Sequence, residues 1–303
     1  MTLAVVIRVH GKAPYVFDAV NSVLSQKCST PIDLWLILDR VAPETKDEIY
    51  RRLLPHVRVF VPKSSGYSAP LNELLMDIDS EFVAILDSDD EMVQGRLEMQ
   101  FQFLLSNPGI AVVGSSITLI NELGHVCGER VFQTSSAGIR ERRFDSLPVA
   151  HPSVMFVRSS VIQVGGYRKF YDFAEDYDLW LRILEVSEIA NLPQFLTRYR
   201  VHADQTNSLH IRRNVLAGVV ARKSGIRRAR GHSDYSEDYP YIERMLLKPR
   251  ILVEVYYRTF KRILWGQAIT ANRNNLRFKL TCIFSLLILI DFKEAIKKIK
   301  DYK

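Results

Sequence analysis

The chain has 303 residues, of which 47% are hydrophobic and 25% are charged, and its formal net charge is +7 at pH 7. A chain of this length can bury one large core and a smaller appendage. Its composition is too apolar for a disordered protein and too mixed for a protein with many membrane spans.

The cysteines and the N-terminus indicate a compartment. Cys28, Cys127 and Cys282 are far apart in sequence, and they suggest neither a disulfide framework nor a CxxC zinc site. We therefore expect thiols in a reducing cytoplasm. The N-terminus runs directly into a strand-like segment without the charged-then-apolar layout of a signal peptide, which argues against export.

The front half alternates short apolar runs with helical patterns. In chain order the sequence predicts a strand at 3–9, a helix at 16–24, a strand at 33–39, a helix at 45–54, a strand at 57–61, a helix at 68–78 and a strand at 82–86. This alternation favours βαβ units around a mainly parallel sheet with helices on both faces. Ligands of such sheets bind beyond the carboxyl ends of the strands, so polar residues at these ends are candidates for a site.

The pattern changes after the fourth strand. Between residues 111 and 164 the apolar runs are shorter and less regular, with glycines between them. A helix follows at 176–186 and a last strand at 195–200. We place a domain boundary near Asn207, which gives an α/β domain at 1–207 and a basic helical region at 208–303.

The two regions carry opposite charge. Residues 206–303 hold 21 Lys and Arg against 8 Asp and Glu, a net +13, whereas residues 1–205 hold 20 against 26, a net −6. Two apolar stretches of the rear, 251–265 and 280–290, contain or adjoin basic residues, and both are too short to span a bilayer. Such helices can lie on an anionic membrane surface; the alternative is a helical subdomain with a solvated basic face.

An acidic triplet ends the fourth predicted strand. Asp87-Ser88-Asp89 has the DxD pattern, and hard cations such as Mg²⁺ and Mn²⁺ prefer oxygen ligands of this kind. Carboxylates on one turn can converge on an ion that also bridges a diphosphate. Acidic turns after strands are also common without an ion, but the position at the ligand edge of an α/β sheet favours a metal site.

Five segments, at 18–26, 82–90, 151–155, 175–182 and 199–202, resemble in their order and spacing the family 2 nucleotide-sugar glycosyltransferases of bacterial surface-polysaccharide type. The resemblance covers residues 2 to about 207, two thirds of the chain. It implies the GT-A fold, a Rossmann-like α/β architecture, followed here by a helical C-terminal region. It also implies transfer from a nucleotide-sugar donor with a divalent metal and inversion at the sugar carbon.

The resemblance assigns metal and catalytic roles. It implies that Asp89 and His202 ligate the metal and that Asp87 contacts the donor ribose or the metal shell. Asp176 matches the catalytic base of the family, which takes the proton of the acceptor hydroxyl. Two alternatives stay open: His202 as a histidine held by a surface hydrogen bond, and Asp176 as a carboxylate that only complements a helix dipole.

The remaining candidates belong to the donor and acceptor sides. Arg8, His10 and Asp39 are expected to face the nucleotide, with Arg8 where the family has a small residue or proline. The acceptor or sugar side is assigned to Asp90, His151, Glu175 and Trp180. For His151 a structural role, and for Trp180 a place in the core, are the alternatives. Asp178 is interpreted as a cap or dipole charge of the helix that carries Asp176.

These observations predict an inverting, metal-dependent glycosyltransferase. We expect UDP-hexoses or UDP-N-acetylhexosamines as donors, before dTDP- and GDP-sugars, and a glycan or lipid-linked acceptor at the inner face of the cell membrane. The alternative is a non-catalytic nucleotide-binding scaffold of the same fold. The acidic front half argues against a nucleic-acid-binding protein, and the single glycine after the first strand argues against a nucleotidyltransferase.

Overall fold

The computed structural model describes residues 2–202 and 210–237, together with Val255 and Arg258. The boundary expected near Asn207 lies outside these residues, as does almost all of the two basic, apolar stretches at 251–265 and 280–290. By its contacts the chain divides into two compact units, Met1–Leu246 and Leu247–Lys303. All elements named below belong to the first unit.

Nine strands of the described residues form one mixed sheet. They are β1 (Leu3–Gly11), β2 (Ile32–Val41), β3 (Arg58–Phe60), β4 (Phe82–Asp87), β5 (Glu91–Met92), β6 (Ile110–Ile120), β7 (Val126–Arg130), β8 (Met155–Val157) and β9 (Glu188–Arg200). Their order is β3-β2-β1-β4-β8-β6-β9-β5, and β7 pairs with β6. The pairs among β3, β2, β1 and β4 are parallel, as is β6 with β9.

Strand β8 sets the direction of the second half of the sheet. It is antiparallel to both β4 and β6, so β4 and β6 run the same way. The carboxyl ends of β1, β2, β4, β6 and β9 therefore lie at one edge of the sheet. The expected ligand edge is formed by strands from both halves of the domain.

Helices cover both faces of this sheet. They are α1 (Val16–Leu24), α2 (Pro43–Leu53), α3 (Ala69–Asp77), α4 (Arg96–Ser106), α5 (Ser136–Arg142), α6 (Arg158–Gln163), α7 (Glu175–Val186) and α8 (Ile211–Arg228). Apolar side chains of α1, α2 and α4 pack on one face, with Leu3, Val5 and Ile7 of β1. Those of α3, α5, α6 and α7 pack on the other face, with Ala4 and Val6. Successive residues of β1 are buried against opposite helical layers, which confirms the expected architecture of a sheet with helices on both faces.

The structure differs from the sequence prediction at β6 and β9. The region expected to be irregular contains β6, an eleven-residue strand, and β9 begins at Glu188 rather than at residue 195. Between the pairs Ser115–Leu192 and Ser116–Phe195 the register shifts, and the two residues in between, Pro193 and Gln194, form a bulge. A proline in a strand is typical of such bulges, and it hides the first half of β9 from pattern analysis. No helix among the described residues has the length and hydropathy needed to cross a membrane.

Candidate active site

A turn of acidic residues, at 87–90, follows β4 at the ligand edge. Asp87, Asp89 and Asp90 each place a carboxylate oxygen within 4.8 Å of the others. The backbone N–H of Asp90 donates to the carbonyl oxygen of Asp87 at 3.2 Å, which closes the turn. We call residues 87–90 the acidic turn. Because its oxygens converge, it can offer several ligands to one cation.

Burial and mutual repulsion act on this turn. Asp90 is fully buried; the backbone N–H of Arg200 donates to its Oδ1 at 2.8 Å, while Oδ2 is enclosed without a hydrogen-bond partner. Burial, together with the charges of Asp89 and Asp87, raises the pKa of Asp90 well above its ordinary value. Burial and the charges of Asp89 and Asp176 raise the pKa of Asp87 to about 7, although 46% of its side chain is still accessible.

The acidic turn fits a divalent cation. Its donor set consists of carboxylate oxygens, which Mg²⁺ and Mn²⁺ prefer. The raised pKa values of Asp87 and Asp90 indicate negative charge that the neighbouring groups do not fully balance. A bound cation would balance it. The enclosed, unpartnered oxygen of Asp90 points to the same need.

His202 reaches the acidic turn from the end of β9. Its Nε2 lies 2.9 Å from Oδ2 of Asp89, although 113 residues separate the two in sequence. The ring of His202 is 5.5 Å from that of Tyr15, centroid to centroid. The structure thus brings together the two residues that the sequence analysis assigned to the metal.

Arg200 braces the same turn. Its buried guanidinium donates from Nε to the carbonyl oxygen of Asp89 at 2.9 Å and from Nη2 to Glu91 at 2.7 Å. It also lies 4.3 Å above the ring of Tyr15. Since Arg200 binds both the backbone and the side chain of residues around Asp89, it fixes the direction in which that carboxylate points.

Arg96 lies behind the acidic turn and was not found by the sequence analysis. It is fully buried, and its guanidinium donates to Ile85 O, Pro152 O, Val154 O, Thr197 Oγ1 and Gln100 Oε1. Burial lowers its pKa to about 9, against the opposing charges of Asp90 and Asp87. The available signal was helical spacing, because Arg96 and Gln100 share buried positions of α4 with Leu97, Phe101 and Leu104.

The nucleotide side is built around Asp39 at the end of β2. Nη2 of Arg8 donates to Oδ2 of Asp39 at 2.7 Å, Nε of Arg40 lies 3.3 Å from Oδ1, and the N–H of Gly66 donates to Oδ2 at 3.4 Å. Burial would raise the pKa of Asp39, but the hydrogen bond and charge of Arg8 outweigh it, and the pKa is lowered. Nδ1 of His10 is 2.8 Å from the carbonyl oxygen of Asp39. The three predicted nucleotide-side residues therefore lie together.

Glu175 and Asp176 begin α7 on the other side of the acidic turn. Oδ1 of Asp176 accepts a hydrogen bond from the N–H of Tyr177 at 2.7 Å. Burial and the charge of Asp176 raise the pKa of Glu175 to about 8, and its Oε2 is enclosed without a hydrogen-bond partner. Asp176 is close enough to raise the pKa of Asp87 as well. The predicted base therefore shares one electrostatic environment with the predicted metal ligands.

His151 and Trp180 lie next to these carboxylates. Nε2 of His151 is 2.9 Å from the hydroxyl of Tyr167, and its Nδ1 is 4.0 Å from Oδ1 of Asp87. Burial lowers the pKa of His151. Trp180 is fully buried in the core, 6.2 Å from the ring of His151. His151 thus borders Asp87 beyond hydrogen-bond distance, and Trp180 lies in the core beside it.

The chain is similar in sequence to known proteins. A family model described as "Glycosyl transferase family 2" matches residues 4–164. The chain is 31% identical over 212 residues to the O-antigen biosynthesis glycosyltransferase WbnJ of Escherichia coli, covering 67% of this chain and 81% of that protein. It is 30% identical over 188 residues to the amylovoran biosynthesis glycosyltransferase AmsE of Erwinia amylovora, with 61% and 70% covered.

Two solved structures show the same fold at low identity. TarS of S. aureus, in complex with UDP-GlcNAc, aligns with a TM-score of 0.58 and 14% identity, covering 89% of this chain and 82% of that one. The mannosyltransferase PcManGT of Pyrobaculum calidifontis, in complex with GDP-Man and Mn²⁺, aligns with a TM-score of 0.57 and 12% identity, covering 98% and 82%. The expected GT-A fold is confirmed.

Proposed function

Because the chain belongs to glycosyl transferase family 2 and is a glycosyltransferase, we propose that it moves a hexose or N-acetylhexosamine from a nucleotide-sugar to a glycan or lipid-linked acceptor. The transfer inverts the sugar carbon and uses a divalent metal, Mn²⁺ or Mg²⁺. One observation carries this proposal. The acidic turn, the Arg8–Asp39 pair and the first turn of α7 meet at one edge of the sheet, in the arrangement that a charged donor and a base-assisted attack require.

Each part of the site has a role in this proposal. Arg8, His10 and Asp39 hold the nucleotide, and Arg8 adds a contact to the diphosphate. Asp89 and His202 would hold the metal, with Asp87 beside them at the donor ribose or the metal shell. When bound, the metal supplies positive charge against the departing diphosphate.

Asp176 acts as the base. Its carboxylate takes the proton of the acceptor hydroxyl while the acceptor oxygen forms a bond to C1 of the sugar. The bond from C1 to the diphosphate oxygen breaks on the opposite face, and its electron pair leaves with the nucleotide. Glu175, whose pKa of about 8 keeps it mostly protonated at neutral pH, donates a hydrogen bond to the sugar or acceptor. Asp90 and His151 lie on the sugar side, where Asp90 ties the acidic turn to β9 through the N–H of Arg200.

The comparisons support the choice of substrates. The neighbours bind UDP-GlcNAc and GDP-Man, and we favour a UDP-sugar as donor. The names of the relatives refer to O-antigen and amylovoran biosynthesis, which supports an acceptor in surface-polysaccharide synthesis. Such an acceptor would place the enzyme in the cytoplasm, peripherally on the inner face of the membrane.

The test is a binding screen by isothermal titration calorimetry. UDP-, GDP- and dTDP-sugars are titrated into the full chain with Mn²⁺, with Mg²⁺ or with EDTA. We expect one donor to bind in a metal-dependent way, and Asp89→Ala to abolish this dependence. Asp79→Ala is the matched control, because Asp79 is an exposed carboxylate that precedes β4 at the opposite edge of the sheet.

Two results would contradict the proposal. If a donor binds equally well with and without EDTA, and equally well to Asp89→Ala, donor binding does not depend on a metal at this site. No binding of any nucleotide-sugar to the wild-type chain would favour a scaffold that keeps the fold without the activity.

A further inference from the structure

A network of ion pairs lies behind the helix that carries Asp176. Asp178, two residues further along α7, is fully buried. Arg168 donates to both of its oxygens, at 2.5 and 2.9 Å, and Nε of Arg182 donates to Oδ2 at 3.0 Å. Asp178 is therefore a buried ion-pair partner, and its role goes beyond the cap or dipole charge that the sequence suggested.

The network extends to residues beyond β9. Asp234, also buried, lies 2.7 Å from Arg168 and 3.0 Å from Arg228 at the end of α8. Arg228 also pairs with Glu185 at 2.7 Å and lies 3.8 Å from Asp178. Three arginines thus face three carboxylates. We call these six residues the latch; they are Arg168, Asp178, Arg182, Glu185, Arg228 and Asp234.

Close packing accompanies the latch. A Cβ atom added to Gly225 of α8 would lie 2.9 Å from Cδ1 of Leu181 in α7, so the two helices approach as closely as a glycine allows. The hydroxyl of Tyr171, which precedes α7, donates to Ser224 of α8 at 2.8 Å. Helix α8 is consequently fixed to α7 by ions, by a hydrogen bond and by van der Waals contact.

The start of α7 needs such support. Phe173 has a φ of +78°, in the left-handed region that is unfavourable for a bulky residue. The N-cap residue Ala174 offers no side-chain hydrogen bond to the first turn. The turn is instead tied at Asp172, which accepts from Ser68 at 2.5 Å. A strained, uncapped helix start keeps its direction only if contacts further along the helix hold it.

We propose that the latch positions Asp176, so that α8 and the segment around Asp234 are a working part of the transferase site. The inference rests on the proposed role of Asp176 as base. Asp178 lies about half a helical turn from Asp176, and Arg168 and Arg228, which come from outside α7, hold that part of the helix from the side away from the acidic turn. Loss of the latch lets the first turn of α7 tilt, which misaligns the base but leaves the ends of β1, β2 and β4 in place.

The test separates positioning from general stability. In the full chain Arg228→Met removes the link between Asp234, Glu185 and Asp178, whereas Arg228→Lys keeps the charge. Arg230→Met is the matched control, since Arg230 is exposed beyond the end of α8. Binding is measured with UDP and Mn²⁺, and turnover as hydrolysis of the donor selected in the screen above.

We expect Arg228→Met to lower kcat by about tenfold to a hundredfold, as small misplacements of catalytic groups do, with the Kd for UDP and Mn²⁺ within about twofold of wild type. Arg228→Lys should recover most of the loss, and Arg230→Met should resemble wild type. Glu185→Gln removes only the outermost partner and should lower kcat severalfold; it serves if Arg228→Met folds poorly. An unchanged kcat in both Arg228→Met and Glu185→Gln would overturn the inference. So would a loss of affinity for UDP and Mn²⁺ as large as the loss of kcat.

Hydrogen exchange distinguishes this failure from failure of the proposed function. The amides of residues 175–182 should exchange faster in Arg228→Met than in wild type, whether or not the chain binds a nucleotide. Unchanged exchange there would overturn the latch by itself. If the wild-type chain binds no nucleotide and exchange is nevertheless faster in Arg228→Met, the result would overturn the proposed function and with it the link to Asp176.

Discussion

Two groups of carboxylates in this domain, the latch and the acidic turn, have opposite electrostatics. In the latch every carboxylate has a guanidinium within ion-pair distance. Burial would raise the pKa of Asp234, but hydrogen bonds from Ser236 and Arg168 outweigh it and lower that pKa to about 2. In the acidic turn the pKa of Asp87 is raised to about 7 and that of Asp90 is raised too. Burial of charge is costly unless it is paired. The compensated charges of the latch fit a structural role, whereas the uncompensated charges of the acidic turn fit the binding of a cation.

The first prediction concerns Asp176 on α7, and its expected effect is the largest of the four. Asp176→Asn should lower turnover by about 10²–10⁴-fold, the usual contribution of a general base, with donor affinity close to that of wild type. Steady-state kinetics and calorimetry measure the two quantities. Loss of affinity as large as the loss of turnover would place Asp176 in donor binding instead.

The second prediction concerns Asp178, two residues away. Asp178→Asn leaves the buried Arg182 without its counter-ion and leaves Arg168 with Asp234 alone, so it should lower the free energy of unfolding by about 3 kcal/mol. Urea denaturation followed by circular dichroism measures it. Asp33→Asn is the control, because its ion pair with Arg58 is exposed and worth less than about 1 kcal/mol. A loss no larger than that of the control would remove the contrast between the two groups.

The third prediction is a gain of stability, in contrast to the loss expected for Asp178→Asn. Asp87→Asn removes a charge that repels Asp89 and Asp176, so in EDTA at pH 8 it should raise the melting temperature, while it weakens the binding of Mn²⁺. Thermal denaturation with and without Mn²⁺ shows both effects. A fall in the melting temperature of the metal-free protein would show that the acidic turn is already compensated.

The fourth prediction is a pH dependence of stability. Burial and the charge of Asp176 raise the pKa of Glu175 from its ordinary value of 4.5 to about 8. Between these values the folded state binds the proton that the unfolded state has lost, so stability falls as the pH rises. Glu175→Gln removes this slope and should gain stability relative to wild type from pH 4.5 to pH 8. Urea midpoints at several pH values test it; parallel curves for the two proteins would contradict it.

The part of the site that is local in sequence could be predicted. The acidic turn follows directly on an apolar strand, and Asp39 ends another, so strand patterns alone placed them at the ligand edge. The resemblance added His202 and Asp176, and the structure brings His202 to Asp89 and Asp176 into the electrostatic environment of Asp87. Their roles in metal binding and catalysis remain predictions.

The rest depends on contacts that pattern analysis cannot show. Arg96 is an ordinary basic residue in sequence, and its acceptors come from positions 4 to 101 residues away. Asp178 is buried only because Arg228 and Asp234 arrive from beyond β9. The beginning of β9 was missed because Pro193 interrupts it and its paired residues in β6 lie 77 to 80 residues earlier. In each case a distant segment decides the role of a local residue.

The long separation between the acidic turn and β9 has a consequence for synthesis of the chain. Asp90 and Asp89 leave the ribosome more than 100 residues before their partners Arg200 and His202. At usual elongation rates of about 5–20 residues per second, the acidic turn remains incomplete for about 5–20 s while the first four strands can already pair. Such late, distant pairing slows folding, so the acidic turn gains its partners only after β9 is in place.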